Sequence, residues 1–207
     1  MYKRALVLCA HTDDLEFGCG GTIARMIDDG TDVFVVVYSL VNPSINPPGI
    51  LEEEWEMSMD VIGIKPDKRL AFDLPMRELS GWRQPILEGM VYTKTRINPD
   101  IVFIPSLQDI HQDHQVIAQE GLRAFKDRTL LGYELAWNNL TFQTTHFVEI
   151  TVPQLEKKVE CLMQYHSQIG KKYIEPGYIR ALAITRGHQV GLDYAECFEV
   201  YRWVVTV

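Results

Sequence analysis

A chain of 207 residues with 46% hydrophobic and 23% charged side chains can bury a sizeable core, and a single domain spanning residues 1–207 is expected. The formal net charge of -8 argues against a nucleic-acid groove or an anionic membrane surface as partner, because both need clustered Lys and Arg. Four cysteines without a CxxC pair suggest reduced thiols, the first residues fit no signal peptide, and no run approaches the roughly 20 apolar residues of a membrane span. A cytoplasmic protein without membrane insertion is the expectation.

In chain order, RALVLCA (4–10) is a continuous apolar run, as a strand buried on both faces must be, and GGTIARMIDDG after it has helical spacing that stops at Gly30. DVFVVVYSL (32–40) is a second, β-branched strand. VNPSINPPG (41–49) is too Pro-rich to be regular and is expected to be mobile and to border the site. ILEEEWEMSMDVIGI (50–64) has the pattern of an amphipathic helix ending at Gly63. RLAFDLP (69–75) predicts a third strand, 83–97 a third helix, DIVFIPS (100–106) a fourth strand and DHQVIAQEGLRAF (113–125) another helix. Beyond residue 130, LGYELAW and TFQTTHFVEIT are strand-like, PQLEKKVECLMQYHSQI is helical and ECFEVYRWVV closes with a strand. The alternation predicts an α/β fold: a Rossmann-like, mostly parallel sheet with helices on both faces and a C-terminal extension.

The chemistry concentrates at two strand ends. ALVLCAHTDDLEFGCGGT (5–22) brings a histidine, carboxylates and glycines together, and PSLQDIHQDH (105–114) does the same without the glycines. FGCGGT resembles a loose phosphate-binding turn but lacks the GxGxxG spacing. The simpler reading is that Gly18, Gly20 and Gly21 let the chain turn tightly and the next helix pack close to the sheet. In a doubly wound sheet of order 3-2-1-4-5-6, strands one and four are neighbours and ligands bind beyond their carboxyl ends. His11, Asp13, Asp14, His111, Asp113 and His114 are then expected to converge. Two imidazoles and a carboxylate leave a coordination position open, the pattern of a catalytic rather than a structural zinc.

AHTDDLEFGCGGT resembles the AHPDDE...GGT signature of the LmbE-like (PIG-L) family of zinc-dependent N-deacetylases, and HQDH is similar to that family's HPDH motif. KKVECLMQYHSQ (157–168) resembles its K...A...H.SQ helix, and GLDYAECFEV its closing segment. The resemblance implies that His11, Asp14 and His114 bind Zn2+, with Fe2+ or Co2+ as alternatives, that Asp13 is the general base and that His111 is the electrostatic or acid partner. Adjacent Asp13 and Asp14 suit that division, since one can face the metal while the other reaches the attacking water. A protonated His111 would stabilise the oxyanion, and Asp113 would hydrogen-bond and orient a histidine. The implied reaction is removal of an N-acetyl group from an N-acetylglucosamine-type sugar or conjugate by water activated at the metal. Similar proteins often form trimers or hexamers, so a homo-oligomer is expected.

Thr12 and Gln112 stand where the family has prolines, Glu16 falls one place later than in the shortest form of the motif, and Leu51 replaces an arginine that many members carry before the Glu-Glu pair. The alternatives are an amidase acting on a larger acyl-aminosugar conjugate and a non-catalytic nucleotide- or sugar-binding module. His146 is read as structural, His166 and His188 as structural or outer-pocket residues, Trp137 as a candidate for the pocket border, and Glu196 and Tyr194 as equally placed in the pocket or outside it.

Overall fold

The computed structural model describes residues 2–40 and 49–205 of the chain. Its centre is a seven-stranded sheet of order β3-β2-β1-β4-β5-β7-β6, built from β1 (Arg4–Cys9), β2 (Asp32–Val37), β3 (Arg69–Ala71), β4 (Ile101–Pro105), β5 (Thr129–Tyr133), β6 (His146–Glu149) and β7 (Ala195–Arg202). The first five pair in parallel, whereas β7 runs antiparallel to β5 and β6 antiparallel to β7. The expected strand order 3-2-1-4-5 is thus present, and the C-terminal extension adds the two antiparallel strands. Residues 41–48 of the Pro-rich segment lie outside the described residues.

β1 shows why its sequence is apolar throughout. Ala5, Val7 and Cys9 face one hydrophobic core and Leu6, Leu8 and Ala10 the other, so both sets of alternating side chains are covered. The first core is closed by α1 (Asp14–Asp28), α2 (Ile50–Ile62), α5 (Val152–Leu162) and α6 (Pro176–His188), through residues such as Ile23, Trp55, Leu155 and Ile179. The second is closed by α3 (Arg83–Ile97) and α4 (Gln112–Ala124), through Ile86, Met90 and Ile117. Among the described residues, no helix is long and apolar enough to cross a membrane.

Several elements differ from the sequence expectation: β3 stops at Ala71 rather than running to 75, β5 lies at Thr129–Tyr133 rather than over LGYELAW, β6 takes up only His146–Glu149 of TFQTTHFVEIT, and three helices differ more deeply. α1 begins at Asp14, so the three glycines lie inside the helix rather than in the turn before it, and only Cys19 (φ -149°, ψ 15°) interrupts its backbone geometry. α5 starts on a Thr151–Gln154 capping box but stops at Leu162, and 166–168 form a separate 3-10 turn. α6 was not expected: its sequence has little amphipathic contrast, and only Pro176 in its first turn signals a helix start.

Gly121 positions α4, and with it the second cluster. A Cβ there would stand 2.8 Å from Ile104 Cγ2 and 3.5 Å from Leu8 Cδ1. Alanine in mid-helix gains up to about 1 kcal/mol over glycine. A branch methyl held in the sheet core cannot yield as a flexible side-chain tip would, so overpacking of about 1–3 kcal/mol wins. Gly121→Ala is therefore expected to destabilise the protein, as read by the urea midpoint; a midpoint at or above wild type would refute the tight α4–sheet contact.

Candidate active site

β1 ends at Cys9 and passes through His11–Asp13 into α1, while β4 ends at Pro105 and leads to His111, the N-cap of α4. Ala5–Val7 pair in parallel with Ile101–Phe103, so both turns emerge side by side at the carboxyl edge of the sheet. His11, Asp13, Asp14, His111 and His114 line one cavity of about 220 Å³, and Asp113 is buried beside it. The three imidazole centroids stand 4.8, 5.0 and 4.6 Å apart.

The carboxylates behind two of the histidines fix which ring nitrogens face the centre. His11 Nε2 is 3.1 Å from Asp113 Oδ2, and His114 Nδ1 is 2.7 Å from Asp109 Oδ2. An ionised carboxylate can only accept, so each of these nitrogens carries the proton. His11 Nδ1 and His114 Nε2 then face each other at 3.1 Å, with Asp14 Oδ1 at 3.2 Å from His114 Nε2 and 4.0 Å from His11 Nδ1. Three electron-pair donors at such spacing repel unless a cation lies among them. A proton can serve: although burial opposes it, the charge of Asp14 and the hydrogen bond to Asp109 raise His114 to about 10. A dication fits the same donors, because the ligand atoms of a four-coordinate zinc, at about 2.0–2.1 Å from the metal, stand about 3.3 Å from one another.

Asp14 is prepared for this position. The main-chain N–H of His11 donates to Asp14 Oδ2 at 2.9 Å and so aims Oδ1 inward. Burial pushes the Asp14 carboxyl up, but the facing His114 outweighs it and holds the group well below the usual carboxylate range. The neighbouring Asp13 behaves in the opposite way, with burial and the Asp14 charge pushing it up. Asp13 occupies the N-cap position of α1, yet its side chain makes no cap hydrogen bond. Adjacent carboxylates driven apart in this way suit one ligand and one proton acceptor.

The three histidines also form a set of possible metal donors, one atom from each lying within 4.8 Å of the others. His111 is the least suited of them. Its Nδ1 accepts the main-chain N–H of Asp113 at 3.2 Å, so in the neutral ring the proton sits on Nε2 and no lone pair is left for a metal. Burial, then the neighbouring His114 and His11, lower its pKa to about 4. Near pH 7 it is a neutral N–H donor lining the cavity rather than the protonated group expected from sequence.

Several residues of this site carried no weight in the sequence. Asp109, fully buried, holds both His114 and, at 2.7 Å, the main-chain N–H of His111; its signal was a carboxylate five residues before His114. The main-chain N–H groups of Arg77 (2.6 Å) and Leu79 (3.2 Å) clamp Asp113 from the far side. Arg77 does so in the left-handed region at φ 70°, a strained conformation that no local pattern predicts. Trp137 does border the cavity, stacked on Tyr173 at 4.6 Å and 16°. Glu196 sits instead in a buried ion pair with Lys158, Tyr194 packs on the hydrophobic core, His146 packs against Phe198 and Trp203, and His188 is exposed at the end of α6.

Glu16 lies one turn along α1 from Asp13, accepting hydrogen bonds from Ser58 and, at 2.8 Å, from Tyr165. Burial outweighs those bonds and raises its pKa from 4.5 to about 8. The folded state therefore keeps a proton that the unfolded chain loses first: its contribution is fully present below about pH 4.5 and is lost as pH rises towards 8. In chelator-treated protein, Glu16→Gln should match wild type in melting temperature near pH 5 and exceed it near pH 8. Parallel pH profiles for the two proteins would contradict this.

Residues 6–125, more than half of the chain, match the PIG-L family model, described as GlcNAc-PI de-N-acetylase. The uncharacterized deacetylase YaiS of Escherichia coli is 25% identical over 173 residues, covering 80% of this chain and 91% of that protein. The diacetylchitobiose deacetylase of Thermococcus kodakarensis is 25% identical over 222 aligned positions, covering 94% of this chain and 81% of that one. The crystal structure of the conserved protein TT1542 from Thermus thermophilus superposes with a TM-score of 0.84 at 26% identity, covering 100% of this chain and 98% of that one. The chain belongs to the PIG-L family, the family of the GlcNAc-PI de-N-acetylases.

Proposed function

We propose that this protein is a zinc-dependent amidohydrolase that removes the N-acetyl group from an N-acetylglucosamine-type sugar or sugar conjugate. The observation that carries the proposal is the pair of inward-facing nitrogens, His11 Nδ1 and His114 Nε2, 3.1 Å apart beside Asp14 Oδ1, each backed by a carboxylate on the other side of its ring. His11, Asp14 and His114 would hold the dication, which when bound polarises an amide carbonyl and makes water a nucleophile at neutral pH. Membership of a family described as de-N-acetylases, and the diacetylchitobiose deacetylase among its relatives, support the amide and the aminosugar.

The chain's own residues divide the remaining work. Asp13, whose carboxyl is pushed up by burial and by Asp14, takes the proton of the attacking water and can return it to the leaving amine. His111 donates Nε2–H to the oxyanion that develops on the acyl carbonyl, as a neutral donor already fixed by the Asp113 N–H on its other nitrogen. Asp113 and Asp109 orient His11 and His114. Trp137, stacked on Tyr173 at the cavity wall, offers a flat apolar face to the C–H face of a pyranose ring. The cavity, about 220 Å³, is smaller than the roughly 300–1,000 Å³ of drug-sized pockets, which suits a short acyl group.

Metal analysis followed by amine-release assays on N-acetylated sugars and sugar nucleotides tests the proposal. Asp13→Asn should retain about one zinc per chain and lose activity by about 10²–10⁴-fold, the usual contribution of general acid–base catalysis. Asp14→Ala should lose both metal and activity. Asp109→Ala should weaken zinc binding by about 10–100-fold. Protein that takes up neither zinc, cobalt nor iron, or an Asp13→Asn variant as active as wild type, would overturn it.

A further inference from the structure

α1 is broken at Cys19, and the break is filled by an ion pair. In a continuous α-helix the N–H of residue 21 donates to the C=O of residue 17, and the N–H of 22 to the C=O of 18. Here Lys158 Nζ, reaching in from α5, donates to Phe17 O at 2.8 Å, while Gly21 N donates to Glu196 Oε1 at 3.0 Å and Thr22 N to Glu196 Oε2 at 2.6 Å. Lys158 Nζ and Glu196 Oε1 are themselves 2.6 Å apart, and both side chains are buried. The cation thus takes the orphaned carbonyl, the carboxylate takes the orphaned N–H groups, and the pair bridges the gap between the two halves of the helix.

The glycines make room for it. A Cβ at Gly20 would stand 3.1 Å from Lys158 Cγ, and one at Gly21 would stand 3.3 Å from Glu196 Cδ and 2.8 Å from Ile150 Cδ1. The N–H groups of this glycine-rich stretch do bind an anion, but the anion is the chain's own carboxylate.

We propose that the Lys158–Glu196 pair, spliced into α1 at the Cys19 break, is a positioning device for the metal-binding turn. The segment ahead of the break, Asp14–Gly18, is a single turn that begins with Asp14 and follows Asp13. Short of that break it has too few internal hydrogen bonds to fix its own direction. Lys158 grips its last turn at Phe17 O, and Glu196 anchors the half-helix beyond, so the angle between the two halves sets where Asp14 Oδ1 points. A stabilising role alone explains the pair poorly, since a buried ion pair is often matched or exceeded in stability by well-packed apolar residues.

The inference rests on the proposed metal site, and its test uses Glu196→Gln, Glu196→Leu and Lys158→Met in the full chain. The readouts are zinc affinity by chelator competition, kcat and KM on an N-acetyl sugar, thermal melting, and amide hydrogen exchange. The expected result is cooperative melting with zinc affinity reduced about 10–100-fold in Glu196→Leu and less in Glu196→Gln, kcat lowered with KM little changed, and faster exchange confined to residues 14–22. Wild-type zinc affinity, kcat and local exchange in folded variants that melt only earlier would overturn it. If Glu196→Leu does not fold, Glu196→Gln and Lys158→Met decide by the same criteria. If wild type binds zinc without cleaving amides, or binds none, the proposed function fails, and the exchange pattern of residues 14–22 still decides whether the pair holds this turn.

Discussion

The parallel pairing of Ala5–Val7 with Ile101–Phe103 is the contact on which the rest of the molecule depends. It joins two segments about a hundred residues apart, and both strands end facing the same way. The turns after them, one carrying His11 to Asp14 and the other Asp109 to His114, then have no choice but to meet. Main-chain hydrogen bonds pair the strands, and the side chains that cover the two faces are apolar and alternate between two cores, so the sheet can be rigid while its carboxyl edge is polar. A slip of the pairing by one residue would exchange the two faces of β1 and carry His11 away from His114 together with it.

At that edge the electrostatics are held in a narrow balance. Asp14, Asp109 and Asp113 are all buried, and buried carboxylates are costly unless each negative charge is met by donors or cations. Asp113 is met by His11 and by two main-chain N–H groups, Asp109 by His114 and the His111 N–H, and Asp14 by the His11 N–H and His114. With these donors committed, His11 Nδ1, His114 Nε2 and Asp14 Oδ1 are left facing one another, and a cation, a proton on His114 or a dication, is what reconciles them. His111 is held neutral first by its burial and then by the neighbouring His114 and His11, which would repel a further imidazolium, while its Nδ1 accepts the N–H of the helix it caps.

The topology and most of the cluster were legible in the sequence because they rest on local signals. A continuous apolar run marks a strand covered on both faces, and His and Asp immediately after two such runs mark their carboxyl ends. What was not legible depends on distant partners. Asp109 is meaningful only once the turn folds it back under His114, and Arg77 matters through its main-chain N–H, which no side-chain pattern encodes. α6 escaped for a related reason: it packs against β7, α5 and the 3-10 turn at 172–174 with only Ile179, Ala183 and Gly187 buried, too narrow an apolar stripe to mark a helix in sequence. The start of α1 is hidden by its glycines, which ordinarily favour a turn over a helix and here are held in the helix by tertiary packing.

Those glycines show how a local rule can be reversed by a long-range contact. Each glycine in mid-helix costs up to about 1 kcal/mol relative to alanine, and two of them beside a broken hydrogen bond should not persist in a helix for its own sake. They persist because Lys158 and Glu196, contributed by segments more than a hundred residues away, need the space that side chains would fill. Since the compensation is electrostatic and directional, the break has one geometry rather than many. A continuous helix would be easier to form, but its first turn would point along the axis of the remainder. The break uncouples the direction of Asp14 from the packing of Ile23 and Ala24 against the sheet, so each half of α1 can satisfy a different demand, one on the turn that carries His11 to Asp14 and the other on the core.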